Sequence, residues 1–411
     1  MAKHIHIIRQ ASSTIKPSYQ RDFINLVSAM EVHKSKSAEK FLGTVLVTGG
    51  CGFVGSFITE AFAAEPSCDR VVVASRNPNK YRVPQVDYHS CDFTDVSQVE
   101  NLLDAVKPRV IVHTVSPGPF ALPSKQYKVS YQGTKTLLEI AKRHTAIRAF
   151  VWTSSGNAVN LRPEMNHQPS NEIEAEVNDW KSPASAYSCA KGATETFVLG
   201  SNTDATTVDF SENADWHMKL VTTSIRITGL YGPRDMTTVG QMISLVNKFA
   251  ARIQIGPNRL QHSWCYAENA GHAHLIAAKA LLDGKHLHPD MRVDGEAFFI
   301  ADPTPMKMWD FERKLLQIAG DQFCNKPTDQ QRLIVIPFGV MMMIAWISEW
   351  LYWVFTLGSK RPLMTMDHFE IMSRGYWFSI EKAKKRLGYV PVCDTEEGLR
   401  RSVEWFRDNK R

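Results

Sequence analysis

Short apolar runs rich in β-branched residues alternate with amphipathic stretches through the first half of the chain. Residues 41–48 (FLGTVLVT), 71–74, 110–113, 149–153 and 220–226 carry almost no polar alternation, the pattern of strands buried on both faces. Residues 86–90 make a weaker strand candidate. Between these runs, residues 56–64, 97–106 and 130–143 read as helices. Strands and helices alternating at this spacing predict an α/β chain with a doubly wound parallel sheet and helices on both faces. After Gly229 the rhythm changes. Residues 252–256, the helical 269–282 and the apolar 296–300 predict a smaller mixed α/β lobe, followed by helices near 380–387 and 396–409.

One apolar stretch fits neither pattern. Residues 333–357 read LIVIPFGVMMMIAWISEWLYWVFTL, and 333–348 hold no charge. That run is shorter than the roughly 20 residues a membrane-crossing helix needs. Trp346, Trp350 and Trp353 recur at helical spacing, so three indoles share a face suited to a membrane–water interface. The expectation is an element that lies on or dips into a membrane. A buried helix or a lid over an apolar pocket is the alternative, and a single crossing a third.

Composition narrows the class. The chain has 411 residues with 44% hydrophobic and 22% charged positions, which is ordinary for a globular protein of about two domains. The net charge of +6 sits at the ends. Residues 1–40 hold seven Lys/Arg against three Asp/Glu and residues 381–411 nine against six, leaving the body at −1. A near-neutral body argues against a nucleic-acid partner. Seven scattered cysteines, none at C-x-x-C spacing, indicate neither a zinc site nor a redox pair, and fit a reducing compartment. His272 and His274 sit two apart on a helix and face different ways, so no metal is expected.

The chemistry begins at Gly49-x-x-Gly52-Phe53-Val54-Gly55, directly between the first strand and first helix. Glycines there permit a tight turn and close approach to a pyrophosphate, which the helix N-terminus then attracts. At the end of the second strand, where NAD-binding sites usually place a carboxylate, stand Ser75 and Arg76. A hydroxyl beside a guanidinium accepts a 2′-phosphate, so NADP is expected, with NAD as the alternative. Asp92, after the third strand, is placed near the adenine edge or, equally, in a helix cap. Tyr187 and Lys191 are four residues apart on one helical face. A nearby ammonium favours the phenolate, which makes Tyr187 a candidate general base. Ser155, with Ser154 as the near alternative, ends a strand 32 residues upstream of Tyr187 and is a candidate to hold the substrate oxygen.

Further motifs join these: Val47-Thr-Gly-Gly-Cys-Gly-Phe-Val-Gly55, Val112-His-Thr-Val-Ser-Pro117, Thr153-Ser-Ser155 and Tyr187-x-x-x-Lys191. To them are added Gly229-Leu-Tyr-Gly-Pro-Arg-Asp235, Trp264-Cys-Tyr266 and Ala383-Lys-Lys-Arg-Leu-Gly-Tyr389. Together they resemble the 3β-hydroxysteroid dehydrogenase family of extended short-chain dehydrogenases/reductases. The likeness covers about residues 41–411 and is greatest to the branch that oxidises sterol 4α-carboxylates with decarboxylation. It implies a Rossmann-type domain over 41–228 and a substrate-binding lobe over 229–411, with 1–40 a poorly ordered basic extension. It further implies Tyr187 as acid/base, Lys191 as its partner and ribose ligand, Ser155 as the orienting hydroxyl, and the Gly229 turn facing the nicotinamide. Three positions depart from the pattern: Ser130 for a usual Asn, Ile227 for a Pro, and Ser263 for an Asp before the Trp. A polar insertion at 201–215 reads as a surface loop.

The expected activity is NAD(P)-dependent oxidation of the 3β-hydroxyl of a sterol or triterpenoid-like substrate, with a 4-carboxylate leaving as CO2. The alternatives are a ketone reductase or 3β-hydroxysteroid dehydrogenase/isomerase of specialised metabolism, and an NADP-sensing regulator. The expected partners are a lipophilic small molecule and a membrane surface, with allowance for a homodimer. The expected location is the cytosolic face of the endoplasmic reticulum, with the cytoplasm as the alternative.

Overall fold

The structure is a computed structural model and describes residues 41–160, 167–203, 220–283, 289–357 and 375–409, with 362, 365, 366 and 369. The expected basic extension and most of the 201–215 insertion lie outside these residues.

The first apolar run forms β1 (Gly43–Thr48), and the glycine turn leads straight into α1 (Phe53–Ala63). There follow β2 (Cys68–Ser75), β3 (Asp87–Ser90), α2 (Val96–Val106) and β4 (Val110–His113). A π-helical segment, Gln126–Gln132, continues into α3 (Gly133–Arg143). The chain then forms β5 (Ala149–Ser155), α4 (Ala186–Leu199) and β6 (Val221–Ile227). Helix α5 (Ala267–Leu282) precedes β7 (Glu296–Ile300). The seven strands pair in parallel in the order β7-β6-β5-β4-β1-β2-β3. Order reverses between β1 and β4, and a ligand crevice opens at the strand ends of such a switch point.

Apolar runs rather than alternating ones are what this sheet requires. In β1, Val45 and Val47 enter one core with α1 and α5, while Leu46 enters another with α2 and α3. Both faces are dry, so Val45, Leu46 and Val47 are apolar in succession. Residues 296–300, expected in the smaller lobe, are instead the seventh sheet strand, paired to β6 from Glu296↔Thr223 to Ile300↔Ile227. Helix α5 likewise packs on the sheet, against α1 and β5. Sequence order after Gly229 concealed this, because the pairing is between strands some seventy residues apart.

The remaining chain builds a further core around Tyr231, Trp264, Tyr266 and Phe311, the last of these from α6 (Met308–Ile318). After α7 (Phe338–Thr356), the helix α8 (Glu381–Leu387) returns to the sheet and α9 (Thr395–Asp408) packs Leu399 and Val403 into this core. Asp302 ties the region together. Its carboxylate accepts from Tyr231 Oη (2.8 Å), Thr395 Oγ1 (3.0 Å), Asn269 Nδ2 (2.8 Å) and the Tyr266 N–H (2.8 Å).

The apolar stretch is a short strand, Ile334–Ile336, followed by α7. This 19-residue helix has a mean hydropathy of 1.4, long and apolar enough to cross a membrane by length and composition. Only Ala345 is buried; Trp346, Trp350 and Trp353 are 57%, 55% and 62% exposed, and Met343, Leu351 and Phe355 are exposed as well. The buried-helix reading therefore fails. Ile334–Ile336 pairs with Ile253–Ile255 before the helix, and Tyr376 pairs with His262 after it. Past that point α8 packs on β7 and α9 on α6. Chain on both sides of α7 belongs to one body.

Candidate active site

A cleft of about 2,080 Å³ runs over the strand ends at the switch point, lined by the glycine turn, the end of β2, the end of β5, α4 and α6. At its floor Gly49 takes a left-handed φ of 73°, and a Cβ there would meet Thr114 Oγ1 at 2.6 Å. A side chain on Gly55 would run into the Gly49 carbonyl. Gly52 is the N-cap of α1 and offers no capping side chain, which leaves the first amides of that helix for an anion.

Ser75 and Arg76 line the cleft beside Asp92. Ser75 Oγ is buried with no hydrogen-bond partner. Asp92 Oδ1 accepts from the amide and hydroxyl of Thr94, both at 2.9 Å. The Thr94 amide is the largest influence holding the Asp92 carboxyl below its usual range. The helix cap belongs to Asp95, which accepts from Gln98 N–H at 3.1 Å. Asp92 thus shapes a turn at the rim and is not the cap of α2.

At the end of β5, Ser154 Oγ is a second buried hydroxyl without a partner. Ser155 Oγ accepts from Asn157 N–H at 3.1 Å and stands against the Tyr187 phenol. Loss of water raises the Tyr187 pKa above its ordinary value, and the Ser155 contact lowers it only in part. Lys191, one turn along α4, donates to the Thr153 carbonyl at 2.8 Å and lies 4.8 Å from the Trp152 ring centroid and 5.9 Å from that of Tyr187. Burial pushes its ammonium down to about 7, against a partial upward pull from Glu195. Glu195 is itself spent on a buried pair, accepting from Arg226 Nη2 at 2.6 Å and Ser224 Oγ at 2.6 Å.

Opposite, Ile227 ends β6 and Thr228 Oγ1 donates to the Ile300 carbonyl at 3.1 Å. Gly229 presses on Ser263 and Trp264, and the Trp264 ring stacks on Phe311 at 3.5 Å between centroids. Ser263 Oγ accepts from Phe378 N–H at 3.0 Å, fastening the returning chain to the cleft wall. Ser130 Oγ is 3.2 Å from Ser116 Oγ inside the π-helical segment.

Two residues that shape the site, Gly192 and Trp152, escaped the sequence reading, and the structural role of His274 did as well. A Cβ on Gly192 would collide with the backbone of Asn178 and Ala158, so glycine is what lets α4 sit tight on the turn after β5. The ring of Trp152 lies under Lys191. His274 Nε2 meets Thr153 Oγ1 at 2.8 Å, while its Nδ1 meets the Ala270 carbonyl at 2.7 Å. His274 is thus a buried brace, and among the described residues no group of three His, Cys, Asp or Glu could hold a metal. All seven cysteines are free.

The glycine cradle, the bare helix N-terminus and the two unpartnered hydroxyls fit a dinucleotide laid along the cleft. A doubly wound sheet with such a cleft, and a Tyr-x-x-x-Lys helix beside it, defines an NAD(P)-dependent oxidoreductase of the short-chain type. The sequence matches the profile of the 3-beta hydroxysteroid dehydrogenase/isomerase family over residues 46–326, and the chain belongs to that family. It is 30% identical over 310 residues to the sterol-4-alpha-carboxylate 3-dehydrogenase, decarboxylating, of Gibberella zeae, covering 75% of this chain and 94% of that protein. The protein of the same description from Saccharomyces cerevisiae is 28% identical over 373 residues, covering 89% and 98%. Among solved structures, the UDP-glucose 4-epimerase of Thermotoga maritima superposes with a TM-score of 0.63 at 19% identity, over 89% of this chain and 99% of that one. At that identity the likeness speaks to the fold alone.

Proposed function

We propose that the chain oxidises the 3β-hydroxyl of a sterol or triterpenoid-like substrate, prefers NADP to NAD, and releases a carboxylate on the adjacent carbon as CO2. The observation that carries this reading is the meeting of Ser155, Tyr187 and Lys191 in one cleft, in a chain of this family. The two sterol-4-alpha-carboxylate relatives supply the substrate class. Tyr187 takes the hydroxyl proton, and Ser155 holds the substrate oxygen against the phenol. Lys191, anchored on Thr153, sets the charge beneath both. A dinucleotide held along the glycine turn, Ser75, Arg76 and Lys191 would supply the hydride acceptor and, when oxidised, a positive charge that favours the phenolate of Tyr187. Oxidation next to a carboxylate yields a β-keto acid, which loses CO2 without a dedicated residue.

The NADP preference rests on Ser75 and Arg76 at the end of β2, where no carboxylate repels a 2′-phosphate. Helix α7 is read as embedded from the cytosolic side of the endoplasmic reticulum membrane. Its exposed side chains, Trp346, Trp350, Trp353 and Phe355 among them, cover no protein core and suit the membrane–water interface, while the chain on both flanks stays with one body. A lipid-dissolved substrate suits such an anchor.

The test is turnover of 4-carboxysterols, plain 3β-hydroxysteroids and 3-ketosteroids by the full chain in detergent, with NADP and NAD supplied separately. Tyr187→Phe is expected to lower kcat by about 10²–10⁴. Undiminished turnover by that variant, or no activity on any 3β-hydroxyl compound, would overturn the reading.

A further inference from the structure

The cleft wall formed by α6 holds an acid for which the proposed reaction has no use. Glu312 is 8% exposed and lines the cleft beside Met308 and Trp309 of its own helix. The helical turn Val239–Ile243 packs against α6 and contributes Met242 to the lining. Trp309 Nε1 donates to the Ile255 carbonyl at 3.0 Å, which closes the apolar surround. Arg313, next in sequence, is committed elsewhere, donating to Gln254 Oε1 at 3.0 Å and Asp310 Oδ1 at 2.8 Å. No described residue donates a hydrogen bond to the Glu312 carboxyl.

The electrostatics agree with that isolation. Burial lifts the Glu312 carboxyl to about 7, and Arg313 offsets only part of the rise. From the elements packed around it, the titratable group in electrostatic reach is the Cys324 thiol, pushed up by burial to about 12 and therefore neutral. An acid poised in this way can enter a complex with its proton on.

We propose that Glu312 is the recognition point for a carboxylate carried by the substrate, its protonated carboxyl donating one O–H···O bond to the ionised acid. This rests on the substrate reading above and names the group that would select acids within it. Two carboxyl groups sharing one proton make a short charge-assisted bond, and each opposes ionisation of the other. This acid lines the same cleft as Ser155, Tyr187 and the Gly229 turn. A lysine or arginine would hold the same anion by its full charge and oppose its loss, whereas a shared proton leaves it free to depart. The proton comes from solvent on binding and returns on release, so the step balances.

Proton uptake on binding tests this. The full chain in detergent, carrying Tyr187→Phe to prevent turnover, is titrated at pH 8 with a 4-carboxysterol and with its carboxyl-free 3β-hydroxy counterpart. Calorimetry in buffers of different ionisation enthalpy counts the protons. Uptake close to one proton is expected with the acid and none with the counterpart. Added to that background, Glu312→Gln, which keeps the shape, is expected to abolish the uptake. In the otherwise native chain, Glu312→Leu is expected to raise KM for the acid about tenfold and leave the carboxyl-free substrate unchanged. Turnover of the acid without uptake, or equal uptake in Glu312→Gln, would overturn the role of Glu312 and leave the oxidation standing. If the carboxysterol neither binds nor reacts, the substrate reading falls and this inference falls with it.

Discussion

Lys191 donates its ammonium to the Thr153 carbonyl at 2.8 Å, so the Tyr187 helix is pinned to the strand that ends in Ser155. That position is dry, and the lysine is held at about 7 when unfolded lysine sits near 10.4. Between these values the unfolded chain binds the proton and the folded chain does not, so this residue makes stability rise with pH. Relative to Lys191→Met, the wild type is expected to gain about 4 kcal/mol between about pH 7 and pH 10. Paired denaturation curves across that range would show it, and parallel curves would refute it.

Buried histidines act in the opposite quarter of the pH scale. Burial drives His113 to about 3 and His262 and His274 to about 4. His113 is wedged between Thr48 Oγ1 at 2.6 Å and Thr134 Oγ1 at 3.0 Å. The unfolded chain protonates all three first, from about pH 6.5 downward. Stability should therefore fall with acid, by about 2 kcal/mol per histidine at pH 5. Thermal melts from pH 7 to pH 5 should show the loss, and His274→Gln should reduce it by about a third.

Gly192→Ala is expected to be among the most damaging small substitutions. The added methyl meets the Asn178 and Ala158 backbone, which has no side-chain freedom to yield. About 2–3 kcal/mol of destabilisation is expected, together with a displaced Lys191 and reduced kcat. Ala193, the next position along α4, serves as the control: Ala193→Ser should leave the denaturation midpoint nearly unmoved.

Cofactor choice should turn on one side chain. Ser75→Asp places a carboxylate at the end of β2 and is expected to lower kcat/KM for NADP by about a hundredfold while sparing NAD. Arg76→Ser should cost NADP about ten- to a hundredfold, the worth of a hydrogen bond to a charged group. Equal losses with both cofactors would show that these residues do not read the 2′ position.

Membrane capture should depend on the indoles of α7. Replacing Trp346, Trp350 and Trp353 with Ser removes about 1.5–3 kcal/mol of apolar transfer each. The triple variant is expected in the supernatant after flotation with anionic vesicles, while turning over detergent-dispersed substrate. If it floats as well as the native chain, α7 is not the anchor.

The sheet was readable because strands dry on both faces leave unbroken apolar runs, as at Val45–Val47 with its two cores. The glycine turn was readable because its context, strand before and helix after, is local. What escaped depends on contacts across the chain. Strand β7 follows a helix of the second half yet pairs with β6, a choice made by tertiary packing. Glu312 sits in an amphipathic helix, where an acid ordinarily marks the wet face; tertiary packing of that helix buries it. Gly192 carries no local signal at all, since its role is an approach between two distant backbones. The apolar helix itself was readable from hydropathy, but not that its two flanks rejoin one body.

The four bonds converging on Asp302 also set an order of assembly. One partner, Thr395, lies 93 residues beyond Asp302, and Asn269 Oδ1 waits for the Val392 amide at 2.6 Å. During synthesis the sheet and glycine turn can form early, but the wall bearing Tyr231 and Trp264 is completed only once α9 has been made. A chain cut just before Val392 would therefore hold its nucleotide fold and lack a finished substrate pocket.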